Sequence, residues 1–199
     1  MTRTNGRERQ RGQALVEFTL VLLVIMTLVS AIGEFGVAFG TNMTMIEATR
    51  EGARVGAVLV DGSTSFGCPG FTGSANVDPQ IIAAVQRALE SPGSGITIAN
   101  VDWIHIYQAD ASGNPVGGTI NVWTPGITSG TGACGIHFDF VQGAHPWDPS
   151  TRDNTLPVAS IGVSVQYRYH LFTPLSVLTG LFGASTITMV DSTVMAFEP

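Results

Sequence analysis

Glu17 is the residue of this 199-residue sequence whose position asks for a chemical explanation. It is the last charge before sixteen uncharged residues, Phe18 to Gly33, and apolar character runs from Ala14 to about Phe39. A lone carboxylate in the core of a bilayer costs roughly 3 kcal/mol or more, depending on depth, so it calls for a cation or for the bilayer surface. The bland reading is that Glu17 sits one turn inside the interface and snorkels to Arg11 or to water.

Two further groups carry chemistry. Cys68 and Cys134 both fall in glycine-rich segments beyond the apolar run, on the side where oxidation is permitted, which favours one disulfide over two free thiols. Neither has a neighbouring second Cys, so they make a poor zinc site. His137, Asp139, His145 and Asp148 could be drawn into a metal site, because His137 and Asp139 would share one face of a strand. Against this, the sequence holds no HExxH, GxSxG or Walker A motif, and His and Asp in loops are usually just solvated. The expectation is a protein with no catalytic residues, no metal, no cofactor and no small-molecule substrate.

The element that must position Glu17 is a helix. At 1.5 Å rise per residue the apolar run can cross a hydrocarbon core of about 30 Å with some tilt. Arg3, Arg7, Arg9 and Arg11 stand before it against the single Glu8, an asymmetry that keeps the N-terminus in the cytoplasm and places the remaining residues, about 160 of them, outside. A secretory signal peptide with a cut near Val37-Ala38-Phe39-Gly40 is the competing reading, but the run is too long for its apolar region of about 7 to 15 residues. The formal net charge of −6 makes nucleic acid a poor partner.

The residues around Glu17 resemble a known pattern. Arg11-Gly12-Gln13-Ala14-Leu15-Val16-Glu17-Phe18 has the shape of a type IV prepilin leader: basic cluster, glycine, five residues ending in Glu, then an aromatic and an apolar helix. Glu34-Phe35-Gly36 and Glu47-Ala48-Thr49-Arg50-Glu51-Gly52-Ala53-Arg54 follow. Together they resemble the TadE-like pilin family, which runs as a short basic leader, GQxLVEF, a long apolar helix, D/E-F-G and A-x-R-E-G-A-R. The resemblance is specific over residues 11 to 57 and weaker, though compatible, beyond.

It implies cleavage between Gly12 and Gln13 by a membrane aspartic prepilin peptidase. Residues 1–12 are then a leader, 13–60 the transmembrane and pilin helix, and 61–199 an extracytoplasmic α+β domain. Loss of the leader removes four arginines and one glutamate, taking the net charge from −6 to about −9. Glu17 becomes the fifth residue beside Phe18, and the new α-amino group at Gln13 of a neighbouring subunit is the available cation. The implied role is a minor pilin or pseudopilin of a Tad-type (Flp) type IV pilus, working in pilus assembly, adhesion or secretion with other pilin subunits at the cytoplasmic membrane or cell surface. An uncut, single-pass tethered binding domain is the alternative.

The helix is expected to continue to about Val60, since Thr41 to Leu59 contains no proline and no strand-like alternation. Gly36, Gly40, Thr44, Ala48, Gly52 and Gly56 form a row of small residues at four-residue intervals. Glycine inside a helix costs up to about 1 kcal/mol against alanine, so the row points to close backbone packing. It drifts about 40° per step and suits several partners better than one parallel helix.

Beyond Asp61-Gly62-Ser63, Asp78-Pro79 predicts an N-cap and first turn for a short helix with the stripe Ile81, Ile82, Val85 and Leu89. Strands are expected over 96–107, with a bulge near Asn100 and Asp102, then over 119–123, 159–169 and 187–197, with a helix after Thr173-Pro174. Residues 124–157 read as one long Gly, Pro and Asp-rich loop. The expected fold class is α+β and pilin-like: a long N-terminal transmembrane helix packed on a small antiparallel sheet of about four strands, with two short helices.

Overall fold

The structure, a computed structural model, describes residues 5–62, 73–126, 138–153, 159–172 and 186–197. One uninterrupted helix, α1, spans Asn5–Leu59. It is followed by α2 (Val77–Leu89) and five strands: β1 (Val101–Ala109), β2 (Pro115–Pro125), β3 (Phe140–Gln142), β4 (Ser160–His170) and β5 (Thr186–Ala196). The antiparallel sheet has the order β3-β2-β1-β4-β5. The class is therefore α+β with helix over sheet, as expected, with one more strand among the described residues than the sequence suggests. Cys68, Cys134, His137 and the helix expected after Thr173 lie outside the described residues.

The chain divides into two compact units, Met1–Ala38 with His170–Thr186, and Phe39–Tyr169 with Ile187–Pro199. In the second unit the core lies on one sheet face. Register pairs Ile104 with Val165 and Trp123, and Ile106 with Val163 and Asn121, so these side chains point the same way. Ile81, Ile82, Val85 and Leu89 of α2 are fully buried against that face, which is the predicted stripe. Met45, Ala48, Ala53 and Leu59 of α1 are fully buried too. The β1 bulge falls between Val101 and Trp103, after a 3-10 turn at Ile98–Asn100.

Gly62 and Gly162 are required by space. Gly62, at φ +83°, ends the α1 turn, and a Cβ there would lie 2.6 Å from the backbone of Gly73, whose N–H donates to the Gly62 carbonyl at 2.8 Å. Gly162 lies under the Tyr107 ring, 2.3 Å from where its Cβ would stand. That contact closes the sheet face opposite the helices, and burial pushes the Tyr107 hydroxyl above its usual range.

Two expectations are corrected. Residues 124–157 are not one open loop, because β3 pairs Trp123 with Gln142 and Pro125 with Phe140, and Phe138, Phe140, Trp147 and Arg152 are buried. Asp78 is not the N-cap of α2. The helix starts two residues earlier with Asn76 in the cap position, making no side-chain cap bond, and the Asp78 carboxylate turns inward to Arg152.

Candidate assembly helix

Glu17 stands on the exposed surface of α1, where it accepts a hydrogen bond from Gln13 Nε2 at 3.1 Å, one turn back along the helix. Phe18 beside it is 65% exposed. From Leu15 onward the large apolar side chains point outward, up to 79% exposed at Phe35, and the most apolar 18-residue window has a mean hydropathy of 2.5 with nothing buried. Such a surface is stable only against lipid or other apolar helices. Thr19 and Thr27 return their hydroxyls to the Leu15 and Leu23 carbonyls at 2.8 Å, so their polarity is absorbed within the helix.

Glu34 breaks this pattern. It is only 4% exposed, and its carboxylate accepts from the backbone N–H of Phe172 at 3.3 Å within the same compact unit. The D/E-F-G pattern marks Glu34 in the sequence but does not show what reaches it. A buried acid in an apolar helix is itself a signal that some other part of the chain must reach it.

The row of small residues divides. At Gly36 and Gly40 an added Cβ would meet nothing within 4 Å. Thr44 donates to the Gly40 carbonyl at 3.2 Å, and Ala48 is fully buried. At Gly52 a Cβ would come 2.5 Å from Val85 and 3.2 Å from Val163, and at Gly56 2.6 Å from Ile161 and 3.0 Å from Ile81. Gly52 and Gly56 therefore seat α1 on α2 and β4 of its own chain.

Residues of the A-x-R-E-G-A-R pattern are similarly divided. Thr49 is fully buried, its hydroxyl 2.5 Å from Asp191 and 2.9 Å from Thr193 of β5. Glu51 and Arg54 form a two-bonded pair on the exposed side, at 2.7 and 3.0 Å, and Arg54 holds the Glu51 carboxyl below its usual range.

Of the residues weighed as metal ligands, the two Asp have separate tasks. Asp139 exchanges bonds with the Gln86 amide at 2.7 and 3.1 Å, and Asp148 accepts from Ser150 N at 2.8 Å to start a 3-10 turn. Among the described residues no group of three or more His, Cys, Asp or Glu is placed to hold a metal ion.

A long, apolar, outward-facing helix whose other half is seated on a small antiparallel sheet defines a helix-on-sheet protein, and the apolar half fits a single-pass membrane protein. Residues 12–54, all within α1, match the family model described as TadE-like protein. The match supports an association with the Tad pilus in general. Among curated proteins and among solved structures, none matches this chain.

Proposed function

We propose that this chain is a minor pilin or pseudopilin of a Tad-type (Flp) type IV pilus. Prepilin peptidase cuts it between Gly12 and Gln13, and the mature protein enters the filament or its assembly base through α1, serving assembly, adhesion or secretion without catalysis. The observation that supports this most is the exposed apolar half of α1 carrying Glu17 one turn inside its start, within a TadE-like segment.

The α-amino group of Gln13 exists only after cleavage. Pairing it with Glu17 of a neighbouring subunit couples processing to polymerisation and sets the axial register between subunits. In the uncut chain Glu17 already has the Gln13 amide as a partner, which is the observation favouring a tethered domain that never polymerises.

The test is N-terminal sequencing and mass spectrometry of the native protein, together with Glu17→Gln and Glu17→Arg expressed in the native host. The expected result is a terminus at Gln13, normal cleavage and membrane content for both variants, and loss from sheared pili, more complete for Arg than for Gln. The ordering follows because Gln still accepts a hydrogen bond from the amine, whereas Arg sets two cations together. A native terminus at Met1 or Thr2, or wild-type incorporation of both variants, would refute the reading.

A further inference from the structure

Glu34 marks a depth in the bilayer. It follows Glu17 on one uninterrupted helix, about 26 Å further along the axis at 1.5 Å rise per residue. With Glu17 one turn, about 5 Å, inside the inner boundary of a hydrocarbon core about 30 Å thick, Glu34 stands at the outer boundary. An average tilt of about 20° shifts it by less than one turn.

The residues at that level are apolar and face outward. Ile32 and Phe35 are 65% and 79% exposed, whereas Glu34 between them is covered by the chain leaving β4, whose Phe172 N–H donates to its carboxyl at 3.3 Å. That hydrogen bond sets Phe172 at the same depth, within the compact unit that holds this half of α1. The Phe172 ring does not fold inward, since the residue is 62% exposed. A single exposed ring on a water-facing surface is ordinary, but this one continues the outward apolar surface of α1. The sequence agrees, because no charged residue falls between His170 and Asp191, so the chain following Phe172 brings no charge that lipid would have to desolvate.

We propose that Phe172 makes a second contact with the bilayer, beside the membrane-crossing helix. Phe172 and Phe35 lie at the boundary between headgroups and acyl chains of the outer leaflet, where aromatic rings are favoured. Glu34 is the positioning residue, because its bond to the Phe172 N–H ties this part of the chain to the end of the crossing. The occupant is lipid, since the contact continues the surface of α1 that faces lipid before any subunits assemble. It fixes the depth of α1, and hence of Glu17, for a pilin and for a tethered domain alike.

The experiment reconstitutes the full chain into vesicles of phosphatidylethanolamine and phosphatidylglycerol, with a benzophenone amino acid in place of Phe172, Leu28 or Arg54, one at a time. Leu28 lies within the apolar run, and exposed Arg54 lies about 30 Å beyond Glu34 along the axis. After irradiation, intact-protein mass spectrometry reads adducts of phospholipid mass, and a denaturing gel reads adducts between two copies. Position 172 should form lipid adducts at a yield comparable with position 28 and well above position 54. Glu34→Ala should lower the yield at 172 about threefold to tenfold, as for the loss of one hydrogen bond, and leave position 28 unchanged. Glu34→Gln keeps an acceptor for the N–H and should restore most of that yield. Adducts between copies in place of lipid at 172, a lipid yield no greater than at 54, or a yield unchanged in Glu34→Ala would overturn the inference. Absence of lipid adducts at position 28 as well would refute the membrane crossing itself, and this contact with it.

Discussion

A methyl group added to Gly36 or Gly40 would touch nothing, whereas at Gly52 and Gly56 it would press to 2.5 and 2.6 Å from Val85 and Ile161. The same contrast holds for charge. Glu17 stands exposed with one amide for company, while Asp78, with a side chain 1% exposed, has Arg152, Asn121 and His145 around it within a single chain. Small residues and isolated acids therefore mean different things along this molecule. In the domain they record packing already complete inside one subunit. Along the apolar half of α1, Glu17 and Gly36 mark surface that the described chain leaves open, while Glu34 is covered by its own chain at Phe172.

The largest expected effect tests the closed side of that contrast. Arg152 is fully buried, pairs with Asp78, donates to the Trp147 carbonyl at 3.3 Å and lies 4.2 Å above the Trp147 ring centre. Arg152→Met strands a carboxylate in the core and should lower domain stability by about 3 to 5 kcal/mol in denaturant unfolding of the detergent-solubilised chain. Adding Asp78→Leu should recover much of that loss, since an apolar pair of similar volume is often no worse than a buried ion pair. Glu17→Gln should change the same unfolding by less than about 0.5 kcal/mol. A comparable loss from Glu17→Gln would erase the contrast.

Next in size is the pair of glycine substitutions. Gly52→Ala gains about 1 kcal/mol of helix propensity but drives its methyl into Val85, a short branched side chain with little freedom to retreat, for a net loss of about 1 to 2 kcal/mol. Gly36→Ala meets no such contact and should leave domain unfolding unchanged. If Gly36→Ala nonetheless reduces incorporation into pili, the open half of the row is an intersubunit surface. Equal effects of the two substitutions on unfolding would contradict the division.

A smaller effect is expected at Thr49. Thr49→Val keeps the shape but removes the hydroxyl that meets Asp191 and Thr193, and should cost about 1 to 2 kcal/mol, because Asp191 then lacks a donor from α1. A neutral result would show that β5 is held to the helix by apolar contact alone.

These assignments show what the residues disclosed by themselves. The long helix was legible because its apolar run is long enough to cross a bilayer, and the α2 stripe and β4 because periodicity over ten or more residues is hard to mimic by chance. The last turn of α1 was legible from Asp61-Gly62, where φ +83° needs glycine. β3 was not, because three residues are too few to show alternation among glycines and prolines. Asp78 was misread because Asp before Pro is a sound local cap signal, and the partner that overrides it, Arg152, is far along the chain. The glycine row announced close packing without naming the partner, since spacing along one helix carries no record of what lies opposite.

The smallest effect concerns His105, which stacks flat on Trp103 with ring centres 3.6 Å apart on the sheet face opposite the helices. Partial burial pushes its imidazole below the ordinary value of 6.5, because the cationic form loses water it would keep in the unfolded chain. The unfolded state therefore binds the proton more readily as pH falls, and stability increases with pH across that window. The His105 contribution is fully present above pH 6.5, declines as pH falls from there towards the folded-state value, and is constant below it. Glu51 adds a loss of the same sign at lower pH, because Arg54 holds its carboxyl below 4.5, so the two windows separate. Subtracting the pH dependence of His105→Gln unfolding from that of the native chain isolates the imidazole, since the other histidines cancel. The difference should slope upward with pH just below 6.5 and flatten above it. A flat difference through that range would mean that His105 is as well hydrated in the folded protein as in the unfolded one, and that the Trp103 stack is an open surface feature.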